Sequence, residues 1–180
     1  MLGNTSDRYG ALSRALHWIT AAVIVALIGV GMYMADLDKD DPSRLGIYNL
    51  HKSFGVLTIM LLALRLVWLR VSPAPALPTV LTAVEVKLVT VVKAALYALM
   101  LLVPFSGYMM SNAGGYPVGF FGLFTLPAMF DKSKALGGFA HEAHEILAYV
   151  LVLAVLIHVA GALKHRLKGN AEADLLKRML

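Results

Sequence analysis

The chain has 180 residues, of which 59% are hydrophobic and 15% are charged, and its mean hydropathy is +0.73. Soluble domains are about 45–50% apolar and about 25% charged, so a soluble enzyme, a disordered chain and a nucleic-acid-binding module all fit poorly. The absence of cysteine excludes disulfides, thiolate metal sites, iron–sulfur clusters and a cysteine nucleophile.

Four long apolar segments predict four membrane-spanning helices, at about 14–35, 46–69, 87–110 and 139–163. Each has about 20 mostly apolar residues, which is the length that crosses a bilayer. Polar or proline-rich segments separate them, including DLDKDDPSR at 36–44 and SPAPALP at 72–78. We therefore expect an all-α membrane protein, with residues 1–180 forming a single four-helix bundle domain. The first segment is too long for the apolar part of a signal peptide, so we expect it to be retained.

The distribution of cations predicts the orientation in the membrane. Four spans place both termini on one side, and that side carries ten of the lysines and arginines, Lys168 among them. The opposite side carries five cations and seven acids. Because cytoplasmic loops are enriched in Lys and Arg, both termini are expected to be cytoplasmic, and the net charge of +5 requires no nucleic acid. Lys93 lies about two turns inside the third span and is expected to snorkel toward the nearer surface.

Four of the six histidines lie within the predicted spans, where ionisable side chains are costly and usually functional. A polar contact between helices is the alternative for any one of them. His144 and His158 are 14 residues apart, so they share a helix face and differ in depth by roughly 21 Å. His51 begins the second span from the outer side, and His17 begins the first span from the inner side. Matching the depths pairs His51 with His144, and His17 with His158.

Two stacked histidine pairs in a helix bundle predict two b-type haems, with one imidazole on each side of each iron. The third span has no histidine and is expected to pack against the others without supplying a ligand. The same 14-residue step leads from His51 to Arg65, whose charge suits a haem propionate, although snorkelling to the inner surface explains it as well. From His17 it leads to Gly31, where the approach of a macrocycle and ordinary helix packing are equally good explanations.

Two further histidines lie close to this pattern. His165 is seven residues beyond His158, and it would bind a quinone head group or a propionate at the inner rim. A solvated histidine in the basic KHRLKG segment is an equally good explanation. His141 belongs to HEAHE at 141–145, which is not the HExxH motif of zinc proteases. A divalent metal at this segment is a minor alternative.

Seven short motifs are spread over nearly the whole chain: R-A-L-H-W at 14–18, N-L-H-K-S-F-G at 49–55, L-R-L at 64–66, S-G-Y-M-M at 106–110, G-F-F-G-L-F-T-L-P at 119–127, A-H-E-I at 143–146 and I-H-V at 157–159. Together they resemble those of the bacterial di-haem cytochrome b561 family. The resemblance implies a location in the bacterial inner membrane. It also implies that two haems b are held by the matching histidines, His17, His51, His144 and His158.

The resemblance also implies electron transfer. Some members of that family oxidise superoxide outside the membrane and reduce ubiquinone, so the chain is expected to be an oxidoreductase of this kind. Alternatively, it anchors a periplasmic hydrogenase or dehydrogenase and passes its electrons to quinone. The expected partners are membrane lipid, quinone and either a small periplasmic donor or a periplasmic redox protein. A histidine-rich transporter or metal-binding protein without haem is a third alternative.

Iron with two histidine ligands has no open position, so electron transfer without binding at iron is expected and no catalytic residue is identified. Lys52, with Lys132 and Lys134, would attract an anionic donor, although acids outnumber bases on that side. The quinone is expected at the inner rim, around Arg14, Arg65 and His165. The apolar loop 111–127 would shield the outer haem or form a docking surface, through Phe120, Phe121, Phe124 and Pro127.

Overall fold

The computed structural model describes residues 1–167, 169 and 172–180, so Lys168 lies outside the described residues. These residues form four α-helices, α1 (Ala11–Ala35), α2 (Arg44–Val71), α3 (Ala83–Ala113) and α4 (Lys134–Leu167). A two-stranded hairpin, β1 (Gly119–Phe120) and β2 (Phe124–Thr125), lies between α3 and α4, and a short 3-10 helix spans Leu176–Arg178. All four α-helices are long and apolar enough to cross a membrane, which confirms the predicted fold class.

Each helix extends a few residues beyond its predicted apolar segment. At α3 the reason for the earlier start is visible, because a polar cap, rather than the first apolar residue, sets where the helix begins. The hydroxyl of Thr82 accepts a hydrogen bond from the Glu85 amide at 3.3 Å, and the Glu85 carboxylate accepts one from the Thr82 amide at 3.0 Å. This reciprocal capping box satisfies amide groups that the first turn leaves unpaired.

The helices pack in chain order, α1 on α2, α2 on α3 and, most closely, α3 on α4. The described backbone of α4 keeps a wider separation from α1 and α2. A small buried core joins all four helices at mid-height, made of Ile24, Leu62, Leu99, Met100, Leu151 and Ala154. Above and below that core, the space between α4 and the first two helices is bordered by histidines.

Both termini lie at one end of the bundle, here called the terminal end. The Tyr9 amide donates to the carbonyl oxygen of Arg178 at 3.2 Å, and the Trp18 indole N–H donates to that of Met179 at 3.0 Å. Arg14 donates to the carbonyl oxygen of Leu180. The first and last described segments therefore cover this end together.

Asn4 holds the first segment in place. Its side-chain amide donates to the carbonyl oxygens of Ser72 at 2.8 Å and Pro73 at 3.1 Å. Its side-chain oxygen accepts from the Gly10 amide at 2.9 Å and from the Ser13 hydroxyl at 2.7 Å. One side chain thus connects the end of α2 to the start of α1.

The opposite end, here called the distal end, carries the hairpin. The strands pair antiparallel, and Phe121 adopts a left-handed φ of 48° in the turn beside Gly122, whose φ is 74°. The Ser53 hydroxyl of α2 accepts from the Phe121 amide at 3.0 Å and donates to the Gly119 carbonyl at 3.2 Å. This serine ties the hairpin to α2, two residues after His51.

Candidate functional site

Two pairs of facing histidines lie between α4 and the first two helices. The terminal pair is His17 of α1 and His158 of α4, with ring centroids 6.2 Å apart and an interplanar angle of 61°. The distal pair is His51 of α2 and His144 of α4, at 6.3 Å and 79°. The structure brings together the histidines that the sequence pairs by depth.

The spacing of both pairs fits an iron held between two imidazoles. A histidine nitrogen binds a metal at about 2 Å, and the ring centre lies about 1 Å further away. Two rings on opposite sides of one iron therefore have centroids about 6 Å apart, as both pairs do. The ring spacing of both pairs therefore fits a b-type haem held between the two histidines.

His144 is held by α3. Its Nδ1 atom lies 2.8 Å from the Val103 carbonyl oxygen and 3.2 Å from the Ser106 hydroxyl, which itself donates to the same carbonyl at 2.7 Å. A carbonyl oxygen only accepts hydrogen bonds, so Nδ1 carries the ring proton. In the neutral ring Nε2 then has a free lone pair, which is the form that binds a metal.

Both rings of the distal pair lie against a glycine of a neighbouring helix. A Cβ at Gly107 of α3 would lie 3.0 Å from Cε1 of His144, and one at Gly31 of α1 would lie 3.4 Å from Cε1 of His51. The 14-residue step from His17 leads to Gly31, but no such spacing indicates Gly107. The one sequence signal for Gly107 is its place in the S-G-Y-M-M motif, because α3 has no histidine to which its spacing relates.

Arg65 belongs to the terminal pair. Its Nη2 atom lies 3.3 Å from Nδ1 of His17, and its guanidinium lies 5.5 Å from the centre of the Tyr97 ring. A guanidinium only donates hydrogen bonds, so Nδ1 of His17 accepts here. A neutral ring that binds a metal through Nε2 carries its proton on Nδ1. This contact with Arg65 and iron binding through Nε2 therefore exclude each other.

His165 and Arg14, both predicted at the inner rim, contact other groups. His165 is buried, and its Nε2 atom lies 3.6 Å from the Glu85 carboxylate, which also forms an ion pair with Lys164 at 2.8 Å. Arg14 reaches the Leu180 carbonyl. The structure places His165 at the junction of α3 and α4, and its role in binding a cofactor or quinone stays a prediction.

Two of the predicted distal lysines converge on one short segment. The Lys52 ammonium donates to the Pro117 carbonyl at 3.2 Å and lies 5.7 Å from the centre of the Tyr116 ring. The Lys132 side chain lies against Gly115, where an added Cβ would be 2.1 Å from its Cε. Lys134 is exposed at the start of α4.

His141 contacts the sulfur of Met110 at 3.4 Å, and no cluster of three His, Cys, Asp or Glu suited to a metal ion occurs among the described residues.

The phenylalanines of the apolar loop form an aromatic cluster beside α2. Phe121 contacts Phe54 with ring centroids 5.1 Å apart, and Phe120 stacks on Phe124 at 5.1 Å. The outer face of this hairpin stays exposed, with Leu123 at 77% and Phe124 at 52%. The cluster therefore covers α2 near His51 on one side and presents an apolar surface on the other.

Comparison with known proteins agrees with this geometry. A family model for prokaryotic cytochrome b561 matches residues 8–180. The chain is also 35% identical over 178 residues to cytochrome b561 homolog 2 of Escherichia coli strain K12, a match that covers 98% of this chain and 93% of that protein. The resemblance drawn from the motifs is confirmed. The chain belongs to the prokaryotic cytochrome b561 family, as a multi-pass membrane electron-transfer protein whose family implies b-type haem.

Proposed function

We propose that the chain is one membrane domain of the bacterial inner membrane that holds two b-type haems and transfers electrons from periplasmic superoxide to ubiquinone. The termini are cytoplasmic, His17 and His158 hold one haem, and His51 and His144 hold the other. One observation carries the proposal: the structure contains two histidine pairs, each with the ring spacing that a haem requires. Their members on α4, His144 and His158, are 14 residues apart and hence differ in depth by roughly 21 Å.

When bound, haem supplies a carrier that takes up and releases one electron at a time. The chain's own residues determine how a donor can reach it. Because two histidines would hold each haem, no position would remain open at the iron, and a donor would pass its electron without binding there. The Val103 carbonyl keeps the His144 ring in the ligating tautomer.

The overall reaction balances as two superoxide anions, one ubiquinone and two protons giving two dioxygen molecules and one ubiquinol. Each superoxide loses one electron, and the quinone gains both. Lys52 and Lys132, which converge on the segment 115–117, support an anionic donor at the distal end, since clustered positive charge raises its rate of encounter. The quinone is proposed at the terminal end, around Arg14, Arg65 and His165.

The first experiment is a dithionite-reduced minus oxidised spectrum of the purified protein, with its haem-to-protein ratio. We expect two low-spin b haems per chain.

Superoxide and a short-chain ubiquinone are then added, and ubiquinol formation is measured. We expect Lys52→Gln to lower the rate and its salt dependence, and Lys39→Gln, in the exposed 36–43 loop, to leave both unchanged. Ubiquinol no faster than in the absence of protein would exclude superoxide as the donor, and one haem per chain would exclude the two-haem arrangement.

The alternative function is a haem-b membrane anchor that links a periplasmic hydrogenase or dehydrogenase to the quinone pool. The exposed apolar face of the hairpin, at Leu123 and Phe124, favours it, because large exposed apolar patches mark contact surfaces. This function predicts co-purification with a redox enzyme whose substrate reduces the haem, and loss of that enzyme in Leu123→Ser. A preparation that contains this chain alone after mild solubilisation would argue against it.

A further inference from the structure

A small cavity of about 60 Å³ lies at the terminal end, beside the terminal pair, and the apolar residues Leu69, Ala74 and Met179 form part of its wall. It opens between the first segment, α1, α2 and α3, and side chains from all four contribute to its lining. Its polar lining consists of Tyr9, Ser13, Arg65, Trp68, Lys93 and Tyr97. None of the described lining residues is acidic.

Two cations line this cavity without a lining anion to balance them. Arg65 enters from α2 and Lys93 from α3, and Lys93 is the residue that the sequence analysis expected to snorkel toward the surface. Both residues belong to membrane-spanning helices. Arg65 is half-buried, and a positive charge within such a helix is costly unless it is paired. Lys93 is exposed and adds positive charge without that cost. The two cations together make the cavity suited to a negative group.

The other polar side chains of the lining differ in whether they already form hydrogen bonds within the protein. The Trp68 indole donates to the Ser13 hydroxyl at 2.9 Å, and that hydroxyl donates to Asn4. Burial, with the nearby Tyr97, raises the pKa of the Tyr9 phenol, which therefore remains a hydrogen-bond donor at neutral pH. Two cations and two phenols thus line one small volume.

The size of the cavity selects the kind of ligand. Pockets for small organic molecules usually measure about 300–1,000 Å³, so this cavity is too small for a quinone ring. In the same measure of volume a single water molecule needs about 10–15 Å³, so the cavity has room for a few water molecules or for one carboxylate or phosphate group. The lining and the volume together suit a compact oxyanion.

We propose that this cavity is an oxyanion-binding site in which Arg65 and Lys93 supply charge and Tyr9 and Tyr97 donate hydrogen bonds. A haem propionate and a lipid headgroup phosphate share the required chemistry. The propionate source rests on the proposed haem at the terminal pair. The position of Arg65 beside His17 supports that source. Iron binding through Nε2 of His17 excludes that contact, so the guanidinium becomes free to bind an anion beside the same haem.

The test compares Lys93→Gln and Tyr97→Phe with the wild type, with Lys87→Gln as the matched control. Lys87 is an exposed lysine of the same helix, six residues earlier. Resonance Raman spectra of the purified holoprotein report the propionate vibrations, and phosphorus analysis reports bound phospholipid. The rate at which haem passes to apomyoglobin measures retention. A charge-assisted hydrogen bond contributes about 1.5–3 kcal/mol, so we expect Lys93→Gln to release the haem of the terminal pair about tenfold faster.

The outcomes separate the two sources. Shifted propionate bands and faster haem release in both variants, but not in Lys87→Gln, would identify the propionate. Unchanged bands with loss of bound phospholipid phosphorus in the variants would identify the lipid headgroup. Unchanged bands, haem release and phosphorus would overturn the oxyanion site. A wild-type protein without haem at the terminal pair would instead overturn the proposed function, and the phosphorus arm would still test the cavity.

Discussion

The Nδ1 atom of His144 lies 2.8 Å from the carbonyl oxygen of Val103, so a backbone group of α3 orients a side chain of α4. The other member of the distal pair lacks such support, because Nδ1 of His51 is buried and has no hydrogen-bond partner among the described residues. A ligand whose Nδ1–H donates a hydrogen bond is a stronger base toward its metal. The two histidines of the distal pair are therefore unequal in the hydrogen-bond support of their Nδ1 atoms.

The Ser106 hydroxyl extends this support, so Ser106→Ala is expected to weaken the distal haem. The change removes one acceptor for Nδ1 of His144, and loss of such outer contacts typically lowers metal affinity about 10–100-fold. We expect a higher midpoint potential and faster release of the distal haem alone. Thr90→Ala is the control, because that hydroxyl bonds only within its own helix. An unchanged distal potential in Ser106→Ala would contradict the expectation.

Gly107→Ala is expected to displace the His144 ring. The added methyl would lie 3.0 Å from Cε1 and 3.1 Å from Nδ1, closer than side chains pack, while the Val103 bond opposes movement of the ring. The distal haem should be lost or changed in spectrum, and the terminal haem retained. Gly29→Ala is the matched control, because its Cβ meets nothing within 4 Å, and alanine in an exposed helix costs nothing relative to glycine. Equal spectra for both variants would show that the contact is unimportant.

Single histidine variants should separate the two haems. His51→Ala or His144→Ala is expected to remove the distal haem and largely spare the other, because the two pairs share α4 but no histidine, and their α4 members are 14 residues apart. His17→Ala or His158→Ala should have the reverse effect. Reduced-minus-oxidised spectra and redox titration distinguish the two haems. Loss of the same haem from all four variants would refute the pairing, provided that each protein still inserts and folds.

Asn4→Ala is expected to loosen the terminal end. It removes four side-chain hydrogen bonds, to Gly10, Ser13, Ser72 and Pro73. Each such bond contributes about 0.5–1.5 kcal/mol, so the total loss is about 2 kcal/mol or more. The measurement is thermal unfolding in detergent, with Asn49→Ala as the control at an exposed asparagine of α2. An equal melting temperature in the two variants would mean that these four hydrogen bonds contribute nothing to stability.

The sequence was sufficient for the helices and for which histidines face one another. Both follow from properties of a single helix, namely apolar length, rise per residue and angular step, combined with the thickness of the bilayer. The contacts that hold the His144 ring could not be predicted from the sequence. The Val103 carbonyl and Gly107 meet this ring only because α3 packs on α4. Helix α3, expected only to pack, in fact orients His144 of the distal pair.

His165 illustrates the limit of arguments from one helix. Seven residues leave a straight helix about 20° short of two full turns, so spacing alone places His165 on the face of His158. By this difference of about 20° alone, His165 would face the same way as His158. However, α4 packs most closely on α3, and His165, in the last turns of α4, lies beside the Glu85 carboxylate of α3. The partner of a side chain near a helix end depends on the tilt of that helix, which composition and periodicity leave undetermined.

Each histidine pair takes one of its members from α4, the fourth helix along the chain. The ribosome therefore produces three complete helices before either pair can exist, and those helices carry only His17 and His51. During synthesis the distal pair becomes possible once residue 144 has emerged, and the terminal pair follows at residue 158. In the proposed arrangement each haem would therefore gain its second histidine late in biogenesis, after most of the bundle has entered the membrane.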